Sequence, residues 1–198
     1  LRLEKRSITH ESEALMTIFH TITGLLSLIT GLAIVLLPKG ARWHRRVGKI
    51  YVISMYALCL TSFAITDTTP YFKGYGIFHL IAAIGIVYLT IGMMPLLFRR
   101  RLRDWFAIHF YCMLWSYVGL VMALNAHFFP QALYFLSENL NLSRRAASIL
   151  SMLLLWGAPL FIGNIMINRK MPQYKNRFMR RKALANQTAP DNSLNPTP

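Results

Sequence analysis

The chain has 198 residues, of which 55% are hydrophobic and only 15% charged, and its mean hydropathy is positive. A water-soluble domain of this length spreads far more charge over its surface, so the composition argues against a soluble enzyme and for an integral membrane protein. The net charge of +15 would suit a nucleic-acid binder, but it is gathered in clusters between apolar runs, a pattern of membrane topology and not of nucleic-acid binding.

Residues 1–13 are polar and mixed in charge and form an outer segment that includes His10, a surface residue. The chain begins at Leu1 and not at Met, so an upstream segment is expected. Apolar runs long enough to cross a bilayer, ~20 residues each, then recur at 14–37, 48–66, 76–98, 105–128 and 146–168. Pro38-Lys39-Gly40 ends the first helix and Thr68, Thr69 and Pro70 break the chain after the second. Pro95 lies near the end of the third, where a kink is tolerated. The link from Phe128 to Arg145 is the longest, and its Tyr134 and Phe135 suit a stretch at the membrane surface. Ser143 is placed to cap the fifth helix, and Gly157-Ala158-Pro159 to kink it. Residues 169–182 are basic, and 183–198, rich in Asn, Pro, Thr and Ala, read as a disordered tail. The expected architecture is an all-α integral membrane protein, an up-down bundle of five transmembrane helices over 14–168 with a four-helix core.

Three basic clusters share one side of that bundle. They are Lys39, Arg42, Arg45, Arg46 and Lys49; Arg99, Arg100, Arg101 and Arg103; and Arg169 through Lys182. The opposite link at 67–75 holds only Asp67 and Lys73. The positive-inside distribution puts the clusters and the C-terminus in the cytoplasm, the N-terminus outside, and anionic lipid headgroups beside the clusters. Cys59 and Cys112 both fall inside helices, so no disulfide framework or structural zinc site is written here. HExxH, GxSxG, CxxC and clustered HxxxH patterns are absent.

The histidines are the specific clue to chemistry, because ionisable side chains inside a membrane are costly. His20 and His79 sit near the outer ends of the first and third helices, His44 and His109 near the inner ends of the second and fourth. In an up-down bundle these helices face each other in diagonal pairs, giving two stacked histidine pairs, one per leaflet. At ~100° per residue His20 shares its stripe with Gly24, Ser27 and Gly31, leaving room beneath it for a flat macrocycle. Bis-histidine ligation of two b-type haems fits that arrangement. Arg45, Arg46 and Lys49 would neutralise propionates at the inner site, with Tyr51 hydrogen-bonding there. His127, at the outer level, competes with His20 or His79 as a ligand.

Small residues beneath a histidine are also the ordinary means by which membrane helices approach closely, and histidines can serve as contacts between helices. Two alternatives therefore stand beside the haem reading. One is a haem-free membrane protein with scaffold, assembly or transport work. The other is a metal-dependent membrane hydrolase built from His20, His79, His127 and Asp67.

The stretch His20-x-x-x-Gly24, Gly31 and His44-Arg45-Arg46-Val47-Gly48-Lys49-Ile50-Tyr51, with His79 and His109 downstream, resembles a family of bacterial predicted membrane proteins called domain of unknown function 2306. That resemblance implies the bacterial cytoplasmic membrane and brings no activity. The alternation of histidines over four helices more loosely resembles the di-haem cytochromes of the b-561 group. It implies pairing of His20 with His79 and of His44 with His109, in an electron carrier served by a quinol or another redox partner. Members of that group normally have six helices, with one before the ligand-bearing four.

Overall fold

The computed structural model describes residues 2–65, 75–98, 101–102 and 104–187, and the regular elements among them are helices. Helix α1 covers Arg2–Leu36, α2 Arg42–Ser62, α3 Ile77–Leu97 and α4 Trp105–Ala126. The short α5 (Phe129–Tyr134) and a π-helical turn (Phe135–Asn139) fill the long link. A final rod follows, α6 (Arg144–Met152), a second π-helical turn (Leu153–Gly157) and α7 (Ala158–Gln187).

Four segments are long and apolar enough to cross a bilayer: Glu11–Leu36, Ile77–Leu97, Trp105–Ala126 and Arg144–Tyr174. Helix α2 falls short of that measure because Arg42, Arg45, Arg46 and Lys49 occupy its first two turns. It nonetheless packs along α1 on one side and α3 on the other, and contacts of α3 with α4 and of α4 with α1 close the ring. The final rod packs outside that ring, against α4. Leu15, Ile18, Ile22, Leu25 and Ile29 of α1 are all more than half exposed, the outward apolar face of a helix solvated by lipid.

Inside the ring, Tyr51, Met55, Leu58, Cys59, Ala82, Leu89 and Leu120 form a buried core. Polar side chains cross it in pairs. Ser27 Oγ donates to Ser54 Oγ at 2.8 Å, joining α1 to α2. Tyr56 and Thr90 hydroxyls meet at 2.9 Å between α2 and α3. The Tyr51 hydroxyl meets Ser116 Oγ at 2.9 Å across the α2–α4 diagonal. Interhelical bonds of this kind contribute ~0.6 kcal/mol each on average, so close backbone approach supplies most of the cohesion. Gly31 is the clearest instance: the Tyr117 ring occupies the space where a Cβ would stand.

Several expected boundaries shift for local reasons. The polar 1–13 segment is the start of α1 from Arg2 onward, since it holds no glycine or proline to interrupt a helix. Helix α2 begins at Arg42, ahead of the apolar run at 48, because charged side chains lengthen a helix without adding hydropathy. The basic segment after the fifth run is helical too, and α7 continues to Gln187, past the start of the expected disordered tail. Residues 188–198 lie outside the described residues.

At the final rod the expected cap holds, and the helix is irregular before Pro159. Ser143 Oγ accepts the Ala146 N–H at 3.3 Å as the N-cap of α6. The irregularity before Pro159 takes the form of the second π-helical turn, a common answer to a proline that returns no N–H to the preceding turn. Asn125 Nδ2 on α4 donates to the Leu155 carbonyl at 2.7 Å, and Trp156 Nε1 donates to the Met122 carbonyl at 3.1 Å. The rod is thus bonded to α4 where its own ladder is loosest.

Candidate functional site

The histidines fall into two groups, at opposite ends of the ring. The loop end carries Ile65, Gly76 and α5; the basic end carries Lys39 and the first turns of α2 and α4.

At the loop end a cavity of about 570 Å³ opens among α1, α2, α3 and α4, with mostly apolar walls. His20, His79 and His127 all line it. His20 Nδ1 lies 3.0 Å from Thr61 Oγ1. The Thr61 hydroxyl proton is already directed at the Ala57 and Leu58 carbonyls, both 2.9 Å away. Thr61 Oγ1 therefore accepts from Nδ1–H, which leaves a lone pair on His20 Nε2.

His79 is different, buried to 6% exposure with both ring nitrogens engaged. Nδ1 accepts the Gly76 N–H at 3.0 Å, so Nε2 carries the proton and donates to the Ile65 carbonyl, also at 3.0 Å. Phe63 and Tyr75 pack their rings about the imidazole. In this geometry His79 is a bracket that ties the end of α2 to the start of α3. His127 is exposed, stacks on Phe78 with ring planes 8° apart, and lies within electrostatic range of His20.

The space expected beneath His20 is filled by protein. Leu58 packs against Gly24, Ser27 bonds Ser54, and Tyr117 covers Gly31. The small-residue stripe is the contact surface of α1 with its neighbours.

At the basic end, His109 Nδ1 donates to the Gly92 carbonyl at 2.7 Å. Gly92 lies in the turn of α3 opened by Pro95, and its missing side chain lets α4 come close: a Cβ there would stand 3.0 Å from Cys112 Cβ. With Nδ1 committed as donor, His109 Nε2 holds the lone pair, the arrangement by which a protein orients a metal-binding imidazole. His44 lies within electrostatic range of His109, and its Nδ1 is buried without a hydrogen-bond partner among the described residues. Lys39 interacts electrostatically with both histidines. Its Nζ donates to the Ile34 and Val35 carbonyls, at 2.6 and 3.3 Å, closing the C-terminus of α1. Burial, and after it the charge of Lys170, brings the Lys39 ammonium down to about 8.

The cations expected around the inner site are placed otherwise. Arg45 and Arg46 are exposed, and the Arg46 guanidinium lies over the Trp43 ring, 5.5 Å from its centroid. Tyr51 is 1% exposed in the core, held by Ser116. Lys39, read in the sequence as part of a helix stop and of the first basic cluster, is a cation that interacts with both histidines. Among the described residues no three His, Cys, Asp or Glu side chains converge on a common metal position. Asp67, the carboxylate of the hydrolase alternative, lies outside the described residues.

Helical segments long and apolar enough to cross a bilayer, packed side by side around a common core, define a polytopic membrane protein. The profile of the family described as predicted membrane protein, DUF2306, matches residues 17–167, and the chain belongs to that family. No curated protein and no solved structure matches the chain, so the likeness to the cytochrome b-561 group gains no support.

Proposed function

We propose that this chain is a b-type haem electron carrier of the bacterial cytoplasmic membrane, with His44 and His109 as the residues that would hold the haem iron. The observation that carries the reading is the His109 imidazole, fixed through Nδ1 by Gly92 and offering Nε2, within electrostatic range of a second histidine whose buried Nδ1 has no partner among the described residues. An iron porphyrin held there would supply one-electron chemistry at low cost in reorganisation. The chain's own contributions are orientation and charge. Gly92 sets the ring of His109, the core around Leu89 and Cys112 excludes water, and Lys39 supplies positive charge for carboxylates at the membrane edge.

The two-haem expectation narrows to one in this proposal. A second site would need His20 paired with His79, whose nitrogens both hold backbone groups, or with the exposed His127. In orientation we take α2 as the fifth crossing, because it completes the ring between α1 and α3, and the basic end as cytoplasmic. Anionic headgroups there would offset the clustered charge, at ~1 kcal/mol for each Lys or Arg near the surface.

The test is haem content of the purified protein, made with ample haem supply. The proposal expects about one b-type haem per chain, lost in His109→Ala and His44→Ala and kept in His79→Ala. A folded, monodisperse protein without haem would defeat it and leave a scaffold, assembly or transport role as the better reading. Two haems per chain, one of them lost with His79, would restore the His20–His79 pair.

A further inference from the structure

The geometry points to the loop-end cavity as a binding site for a lipid-dissolved hydroquinone, with the His20 imidazole as hydrogen-bond acceptor for a ring hydroxyl. Three observations combine. The cavity of about 570 Å³ is walled largely by apolar side chains, and α1 residues exposed on the lipid-facing side, Thr17 and Thr21, stand at its rim. A ligand dissolved in the bilayer therefore reaches it laterally. Its walls include Phe78, Tyr88 and Trp115, aromatic faces suited to a flat ring. Its polar groups are few and chemically specific, as in ligand pockets generally.

The most informative of these groups is His20. Thr61 fixes its tautomer, so Nε2 can accept a hydrogen bond but cannot donate one while the ring is neutral. A hydroquinone O–H satisfies it, whereas a quinone carbonyl would face a lone pair. An acyl chain would leave Nε2 unmet. The site is thus selective for the reduced form of its ligand.

This inference deepens the electron-carrier reading by naming the class of donor: oxidation of the hydroquinone to the quinone would release two electrons, taken singly by the carrier, and two protons, the first to His20 Nε2 and the second to the exposed His127. Along α4, Trp115 in the cavity wall follows His109 of the basic end by an axial rise of about 9 Å at ~1.5 Å per residue. The donor role rests on that reading; the binding does not.

The experiment is isothermal titration of the whole chain in phosphatidylglycerol nanodiscs, under argon, against empty nanodiscs. The probe is a methyl-prenyl-1,4-naphthohydroquinone, compared with the same compound in its quinone form. The wild type should bind the reduced form roughly tenfold tighter, the effect of one buried hydrogen bond made against one left unmade. His20→Leu should abolish that preference. Thr61→Val, which releases the tautomer while leaving the imidazole, should weaken it. Equal affinity for both forms, a preference that survives His20→Leu, or no saturable signal above the lipid background would each overturn the proposal. Selective binding by a protein that carries no haem would keep this site and reject the carrier reading.

Discussion

His79 and His109 are both histidines near the start of a membrane helix, yet their neighbours give them opposite chemistry. At the loop end, His79 meets an N–H on one side and a carbonyl on the other, so both nitrogens are consumed in joining α2 to α3. At the basic end, the hydrogen-bond partner of His109 among the described residues is the Gly92 carbonyl, which takes the Nδ1 proton and leaves a lone pair on Nε2. The cost of placing an imidazole in a membrane is thus met differently, by backbone groups on both nitrogens of His79 and by one carbonyl on Nδ1 of His109. Presence of a buried histidine does not separate the two; its second hydrogen bond does.

The contrast can be broken most forcefully at His79. Replacement by alanine strands the Gly76 N–H and the Ile65 carbonyl and opens a cavity under Tyr75, and the expected loss is about 2–4 kcal/mol of stability. Thermal unfolding in detergent measures it, and a neutral result would remove the bracket from the account. Next in size is Gly31→Ala. Its added methyl displaces the Tyr117 ring from the α1–α4 seam, with about 1–3 kcal/mol lost. The double variant Gly31→Ala, Tyr117→Ala should show coupling in a mutant cycle, and additive losses would mean the two residues are independent.

Asn125→Leu comes third, at about 1–2 kcal/mol, because it leaves the Leu155 carbonyl without its donor beside Pro159. Adding Pro159→Ala should restore part of the loss by returning an N–H to the preceding turn. If the second change gives no recovery, the π-helical turn has another origin.

The smallest effect concerns pH at the basic end. Burial holds the Lys39 ammonium at about 8 in the folded chain, below its ordinary 10.5. Below pH 8 both folded and unfolded chains carry the proton, and folding bears the cost of burying the charge. Between about 8 and 10.5 only the unfolded chain keeps it, so stability rises with pH across that window. Melting temperature measured from pH 7 to 10 should climb in the wild type more than in Lys39→Met; parallel curves would place Lys39 in solvent.

Much of the frame was legible from apolar runs and punctuation. Short links made neighbours antiparallel, Pro38 and Gly40 marked a helix end, and the four histidines separated into two levels as depth along each run required. What periodicity could not supply was the partner of each ring nitrogen. The groups that engage His79 are main-chain atoms at a helix junction, Ile65 and Gly76, and no side-chain pattern records them. Thr61, which sets the His20 tautomer, looks in the sequence like any helical threonine. Lys39 was read for its place beside Pro38 and in the first basic cluster, while its interaction with His44 and His109 depends on how α1 and α2 close against α4. The stripe beneath His20 misled for a related reason: small residues leave room for whichever neighbour arrives, and here the neighbours are Leu58 and Tyr117.

The most direct test of the central claim is a dithionite-reduced minus oxidised absorption spectrum of the purified wild type, alongside His109→Ala and His79→Ala. The account predicts a sharp b-type α-band in the wild type and in His79→Ala, and none in His109→Ala. A band that vanishes with His79 but persists without His109, or no band in a folded wild-type protein, would contradict it.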